Sequence, residues 1–389
     1  MNSNTVYLLG AGVNKNLRPE FNQPLPPLAN DFFQYLISEL ENKNTKLGGY
    51  TNSYERIFSY IQQYWKLTKT DLLKVPFNLE ELFTLIDAQR KEQSNDALDI
   101  LLDELTIAIG DIFSFHEYYG SIRESPFEEF ARRIYGEKSN VITLNYDCIL
   151  EKAIENISGN GPYQKTRCAY NWNRALAYGI QFDKLTLQGS HWAGGRNVSA
   201  KKFYADPQNK FYDWSILKLH GSINWFHCIP YTSEPNGSGG VYYSKIVLPS
   251  SLRNKLILHN GDWEYSHMPL YRGQYIAKPL IIPPVLYKQD LYKQDEMQKN
   301  VFATIQKNAE KALSHCQRLV MIGYSLPITD FPVRKLLLES FENHAIRDLI
   351  VVNPDTSVVS KIKGLLHHKG PITVYSDLTE YLKHEKRSS

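Results

Sequence analysis

Cysteine is scarce. The chain has four in 389 residues, Cys148, Cys168, Cys228 and Cys316, and no C-x-x-C pair among them. That spacing argues against a structural zinc site made of four cysteines, and a chain this long can bury a core without a disulfide framework. The four are expected as small buried hydrophobes, and no metal is expected. An excess of charge of one sign is also lacking. Lys and Arg number 44 against 41 Asp and Glu, a formal +3, too small an imbalance to point to direct nucleic-acid binding. No apolar run approaches the roughly 20 residues that a membrane span takes. The N-terminus lacks a charged-then-apolar secretion signal, so a cytoplasmic location is expected. The basic end Lys383-His384-Glu385-Lys386-Arg387 is expected to be solvated.

What the chain does have is a set of short apolar runs that end alike. Asn140-Val141-Ile142-Thr143-Leu144 leads into Asn145-Tyr146-Asp147, and Ile149, Leu150, Ala153 and Ile154 then take up a helical spacing. Val6-Tyr7-Leu8-Leu9 runs into Gly10-Ala11-Gly12, and Ile216-Leu217-Lys218-Leu219 into His220-Gly221-Ser222. Leu319-Val320-Met321-Ile322 runs into Gly323-Tyr324-Ser325-Leu326, and Leu349-Ile350-Val351-Val352 into Asn353. Five strands that each deliver Gly, Asn, His or Ser at the carboxyl end describe one pocket across a parallel sheet, where ligands of open α/β sheets bind. Asp147 keeps two readings at this point, a ligand group or a cap on the helix that follows.

The expected fold is Rossmann-like α/β, a doubly wound and mainly parallel sheet, over one domain of residues 1–389. Within it, 28–135 reads as an α-helical insertion, with helices near Leu28–Leu40, Tyr54–Leu67, Asn78–Lys91 and Asn95–Glu117. Asn78 precedes Glu81 by three residues, compatible with an N-cap and a partial capping box. Residues 156–213 and 229–278 read as irregular or β insertions, with strands near Leu185–Leu187 and Val241–Leu248. From residue 294 onward helices and strands alternate at βαβ spacing, with strands at 317–322, 347–352 and 371–375. Gly10-Ala11-Gly12 lacks the third glycine and the acid about 20 residues on that an ordinary dinucleotide fingerprint carries.

Taken in order, Gly10-Ala11-Gly12, Asn145-Tyr146-Asp147, Leu219-His220-Gly221, Gly323-Tyr324-Ser325-Leu326 and Asn353 resemble the motifs of the sirtuin superfamily. The chain departs from it in having no cysteine pairs for the zinc module of sirtuin deacylases, Val13-Asn14 where the family has a serine, and no evident Asp-Phe-Arg segment. The Asn-Tyr-Asp form and Asn78-Leu79-Glu80-Glu81 are more similar to the sirtuin-like NAD-hydrolysing effectors of bacterial anti-phage defence. That resemblance implies NAD+ as substrate and no metal. The helical tract at 28–119 has more apolar surface than a minimal core of this kind needs, so a homo-oligomer is expected. With no recognisable sensor module in the chain, control is expected from oligomerisation or a separate sensor, with a HerA-family ATPase as the partner that the resemblance implies.

By the same resemblance, Asn145, His220 and Asp147 would be the catalytic set. His220 would be the general base, with an ordinary pKa near ~6.5 that suits proton transfer at neutral pH. Asn145 would position water or the ribose, and Asp147 would hold the carboxamide or cap its helix. Gly10, Ala11 and Gly12 would cradle the pyrophosphate. Gly323, Ser325 and Asn353 would flank the rest of the cofactor, with a helix cap as a competing role for Ser325. The activity implied is NAD+ glycohydrolase. A protein deacylase, an ADP-ribosyltransferase and a non-enzymatic NAD-binding sensor are its competitors.

Overall fold

Leucine, valine and isoleucine runs of four or five residues can be buried on both faces only inside a sheet covered by helices. In the computed structural model the strands in chain order are β1 (Thr5–Leu9), β2 (Asn140–Thr143), β3 (Ile216–Lys218), β4 (Gly221–Cys228), β5 (Leu256–Leu258), β6 (Ala277–Ile281), β7 (Arg318–Ile322), β8 (Asp348–Val352) and β9 (Ile372–Tyr375). The structure describes residues 5–18, 25–42, 54–93, 96–114, 122–158, 172, 174–182, 191–193, 196–198, 211–228, 256–258, 269–270, 274–275, 277–282, 296–327, 330–342, 346–366, 368 and 370–388. The expected strands near Leu185–Leu187 and Val241–Leu248 lie outside these residues.

Six strands form one sheet in the order β9-β8-β7-β1-β2-β3, every pair parallel. Numbered among themselves along the chain, they stand 3-2-1-4-5-6, the Rossmann order. The five apolar runs singled out above are β1, β2, β3, β7 and β8, so their carboxyl ends do share one edge. Strands β6, β4 and β5 make a separate antiparallel sheet. Short ribbons pair His191–Ala193 with Arg196–Val198 and Pro269–Leu270 with Gln274–Tyr275.

Between β1 and β2 the chain makes helices α1 (Phe32–Glu41), α2 (Glu55–Trp65), α3 (Lys69–Leu72), α4 (Leu79–Glu92) and α5 (Asp96–Ser114). Their apolar faces form a core of their own, with Phe33, Leu36, Ile61, Leu82, Phe83 and Leu105 inside. Three residues of the site region, Cys148, Ile223 and Ile281, belong to that same cluster. Helix α6 (Pro126–Glu137) differs, because Phe127, Phe130 and Ile134 pack into the core of the main sheet. Among the described residues before β2, the separate core thus draws on α1 to α5, and α6 faces the sheet.

Two local expectations hold in part: Asn78 is a cap, and Lys383, His384, Lys386 and Arg387 are exposed. Asn78 does cap α4, its side chain accepting from the Glu80 N–H at 2.7 Å. Glu81 does not reach back to complete a capping box; its carboxylate accepts instead from the Trp65 indole at 2.9 Å. The basic C-terminal stretch is part of a helix, α12 (Leu378–Ser388), after α7 (Ile149–Ile157), α8 (Arg174–Ala177), α9 (Glu296–Ser314), α10 (Phe331–Glu342) and α11 (Ser357–Leu366). Its Glu385 is 4% exposed and pairs with Arg133 at 2.6 Å and with Arg318. One acid in that stretch is therefore structural, an ion-paired clasp between the last helix, α6 and β7.

Candidate active site

The carboxyl ends of β1 and β7 touch through their glycines. Gly323 has φ +61°, and a Cβ there would stand 2.2 Å from the Val13 nitrogen. A Cβ on Gly12 would meet the Gly323 backbone at 2.9 Å. Only glycine fits both conformation and contact. The Gly10 N–H donates to the Ile322 carbonyl and the Gly12 N–H to the Gly323 carbonyl, each at 3.0 Å. Two of the three amides expected to cradle a phosphate are thus spent inside the fold, and these glycines serve the joining of two turns. Ala11 is exposed, as is Ser325. Asn353 is buried; its amide donates to the Tyr324 carbonyl at 3.2 Å and its Oδ1 accepts from the Asp355 N–H at 2.9 Å. Both ends of that side chain hold the β7 and β8 turns together.

The turn after β1 also brings in Asn14, which is 3% exposed. Its Nδ2 donates to Asp147 Oδ2 at 2.8 Å, and Asp147 Oδ1 accepts from the Ile149 N–H at 3.0 Å. Asp147 therefore acts in this structure as a cap on α7, steadied by Asn14. Asn145 is anchored one turn earlier, its N–H donating to Thr143 Oγ1 at 3.2 Å. Two acceptors here have no partner among the described residues: Oδ1 of Asn14 and Oδ1 of Asn145 are both buried without a hydrogen bond. A buried acceptor left so costs about 1–3 kcal/mol unless something donates to it. Both side chains line one small cavity with Asp147, Lys218, Phe127 and Leu150.

Lys218 closes the floor. It is 1% exposed in a strand otherwise made of apolar residues, and its ammonium donates to the Asp147 carbonyl and to Glu151 Oε1, the latter at 3.1 Å. Glu151 accepts in turn from the Tyr178 hydroxyl at 3.0 Å, and Asn224 donates to that hydroxyl at 3.0 Å. Burial alone would lower the Lys218 pKa, but Glu151, Cys148 and Asp147 outweigh it and the ammonium is held above the ordinary lysine range. Burial pushes the Asp147 carboxyl up against the pull of Lys218 and Asn14. Both shifts are upward but act oppositely on charge. The Lys218 ammonium is favoured because it meets the Glu151 carboxylate, while the Asp147 carboxylate is disfavoured because its burial outweighs the pull of a lysine that bonds only its backbone oxygen.

His220 arrives from β3 on a different support. Gly221 has φ +79°, and a Cβ there would lie 2.1 Å from the Leu280 carbonyl, so glycine lets β6 press against the turn. The His220 carbonyl accepts from the Ile282 N–H at 2.8 Å, and the Tyr146 hydroxyl donates to the Ile282 carbonyl at 2.8 Å. Residue 282 thus straps the His220 turn to the Asn145-Tyr146-Asp147 turn, and the Tyr146 and His220 rings lie 6.2 Å apart. His220 Nε2 faces Asp330 Oδ1 at 3.4 Å.

No family model matches the chain, and no curated protein does. Solved structures match weakly. A crystal structure of a Sir2 homologue–NAD complex has a TM-score of 0.41 at 12% identity, covering 99% of this chain and 90% of that one. A structure reported for the mechanism and regulation of Sir2 enzymes has 0.37 at 13%, covering 99% and 93%. The fold is defined by its strand order and the site by its residues.

The structure brings Asn145 and Asp147 into one cavity and ties His220 to them through residue 282. Asn14, Asp330 and the Lys218–Glu151 pair were not anticipated. Asn14 could have been found by the strand-end rule that selected Gly12, and Lys218 by its charge inside an apolar run. Asp330 has no comparable local signal.

Proposed function

We propose that this chain is an NAD+ glycohydrolase that cleaves the nicotinamide–ribose bond to give nicotinamide and ADP-ribose. In biological terms we propose an NAD-depleting effector of anti-phage defence. The observation that carries the reading is the pair of unpartnered, buried amide oxygens on Asn14 and Asn145, at the strand ends where His220 also arrives. Such a corner is complete only with a ligand that donates hydrogen bonds, as water, ribose hydroxyls and a carboxamide do.

Nicotinamide leaves as a neutral ring, taking the electron pair of the C–N bond, so no acid has to protonate it. Water then forms the C–O bond at the anomeric carbon and loses a proton. In this reading Asn145 orients the water or ribose hydroxyl, and His220 accepts the proton. Neutral side chains suit a site that faces a positively charged, oxocarbenium-like ribose without bonding to it, where many glycosidases place an acidic pair.

The purified protein incubated with NAD+ should release nicotinamide and ADP-ribose in equal amounts, whether or not an acetyl-lysine peptide is present. Release that needs the peptide would replace the proposal with a deacylase, and ADP-ribose found attached to protein would replace it with a transferase.

Control is proposed to come from assembly and from a separate sensor or HerA-family ATPase, which would raise nicotinamide release when added. The helical module leaves Tyr64, Leu73 and Val75 exposed at 44%, 36% and 40%, in keeping with a homo-oligomer formed partly through this module. Light scattering should show a mass above the monomer; a concentration-independent monomer with full NAD+ cleavage would contradict it.

A further inference from the structure

We infer that Asp330 is a positioning residue for His220, forming with Tyr324 a buried acid–imidazole unit that fixes the ring and strengthens it as a base. The inference deepens the proposed reaction and rests on it for the role of His220, but its geometry stands apart. Asp330 is 5% exposed and His220 6%, and Oδ1 faces His220 Nε2 at 3.4 Å. The other carboxylate oxygen, Oδ2, accepts from the Tyr324 hydroxyl at 3.2 Å. A carboxylate bound on one side by a phenol and turned on the other toward an imidazole has a single orientation.

The backbone holds this carboxylate in place. The Asp330 N–H donates to the Pro327 carbonyl at 3.2 Å, and its carbonyl accepts from the Arg334 N–H at 3.0 Å in the first turn of α10. Tyr324 is fixed by Asn353, which donates to its carbonyl. Asp330 and His220 come from opposite sides of β1 in the sheet, β7 and β3, so their meeting is a product of the fold and not of local sequence.

A carboxylate on one ring nitrogen sets the tautomer and makes the other nitrogen a better base, because the negative charge favours the protonated ring. Among the described residues, the groups that face His220 are Asp330 and the Tyr146 ring, with Tyr324 behind the carboxylate. Arg334, whose guanidinium donates to the Leu326 carbonyl at 3.3 Å, and Glu80 of α4 act on Tyr324 with opposite signs. Burial, then Asp330, hold the Tyr324 hydroxyl well above the ordinary tyrosine range, so it remains a hydrogen-bond donor to the acid.

The test reads the imidazole itself. In ligand-free protein carrying labelled histidine, the His220 signal is assigned by its loss in His220→Ala and titrated by NMR. Asp330→Asn keeps the shape and the acceptor for Tyr324 but removes the charge. It should move the His220 titration to lower pH by about one unit or more, the effect of losing an opposite charge at this range. Tyr324→Phe frees a carboxylate oxygen, so it should move the titration upward if at all. Turnover in Asp330→Asn should fall about 10-fold or more in kcat with KM little changed. Its acid limb should shift to lower pH, and Asp330→Glu should restore part of the rate. A His220 titration unmoved in Asp330→Asn, or lowered as much in Tyr324→Phe, overturns the inference. If the titration shifts as expected but wild-type protein never releases nicotinamide, the Asp330–His220 unit stands and the glycohydrolase reading falls.

Discussion

His220→Ala and Asn145→Ala are each expected to lower nicotinamide release by about 100-fold or more, the loss that follows removal of a placed proton acceptor or orienting group. Both residues sit beyond the ends of their strands, and neither contributes to the apolar cores. Circular dichroism and the unfolding midpoint should therefore stay near wild type. Asn145→Ala should thus lose turnover while keeping its fold, since its Oδ1 makes no hydrogen bond to the described residues. That combination distinguishes a residue kept for a ligand from one kept for the fold. NAD+ binding should weaken less than turnover. The double variant should be scarcely slower than either single one if the two act as a unit. Near-normal turnover in folded His220→Ala would remove the catalytic assignment.

Lys218→Met should be the most damaging single change to stability in the site. Lys218 and Glu151 are a buried ion pair, and taking away the cation leaves Glu151, among the described residues, with the Tyr178 hydroxyl and no ion-pair partner. The Asp147 carbonyl loses its donor as well. Breaking a buried pair from one side costs about 3–5 kcal/mol. Denaturant unfolding should show that loss, and Lys218→Met combined with Glu151→Leu should recover much of it, because removing both charges of such a pair is often nearly neutral. A midpoint for the single variant close to wild type would mean that the pair bears little on stability. Because Lys218 also anchors the turn that carries Asn145 and Asp147, the single variant should lose activity at temperatures where it remains folded.

The sheet was legible because its signal is local. A β-branched run of four or five residues ending in Gly, Asn or His marks a buried strand and its carboxyl end, and all five runs read that way entered the sheet. Helix periods in the first half were legible for the same reason, to within a few residues at their ends. What could not be read was pairing across the chain. Gly10 and Gly12 look like a turn opened for a phosphate, but their nearest neighbour is the Gly323–Tyr324 backbone of a strand in the other half of the sequence. Asp330 is one acid among many until the fold sets it against His220, and Glu385 sits in a stretch whose composition suggests only solvent. Asp147 shows the opposite case: cap and ligand group were both open from sequence, and the structure engages both of its oxygens in the fold.

Whether this corner cleaves NAD+, as proposed, can be read in a single-turnover experiment. With the full chain in molar excess over NAD+, a slow resting enzyme still has time to convert its bound substrate, and chromatography follows nicotinamide and ADP-ribose over hours. Both products should appear together to near completion with wild-type protein and stay near background with His220→Ala. NAD+ that is bound, as calorimetry would show, and recovered intact from wild-type protein would contradict it and leave a binding protein in its place.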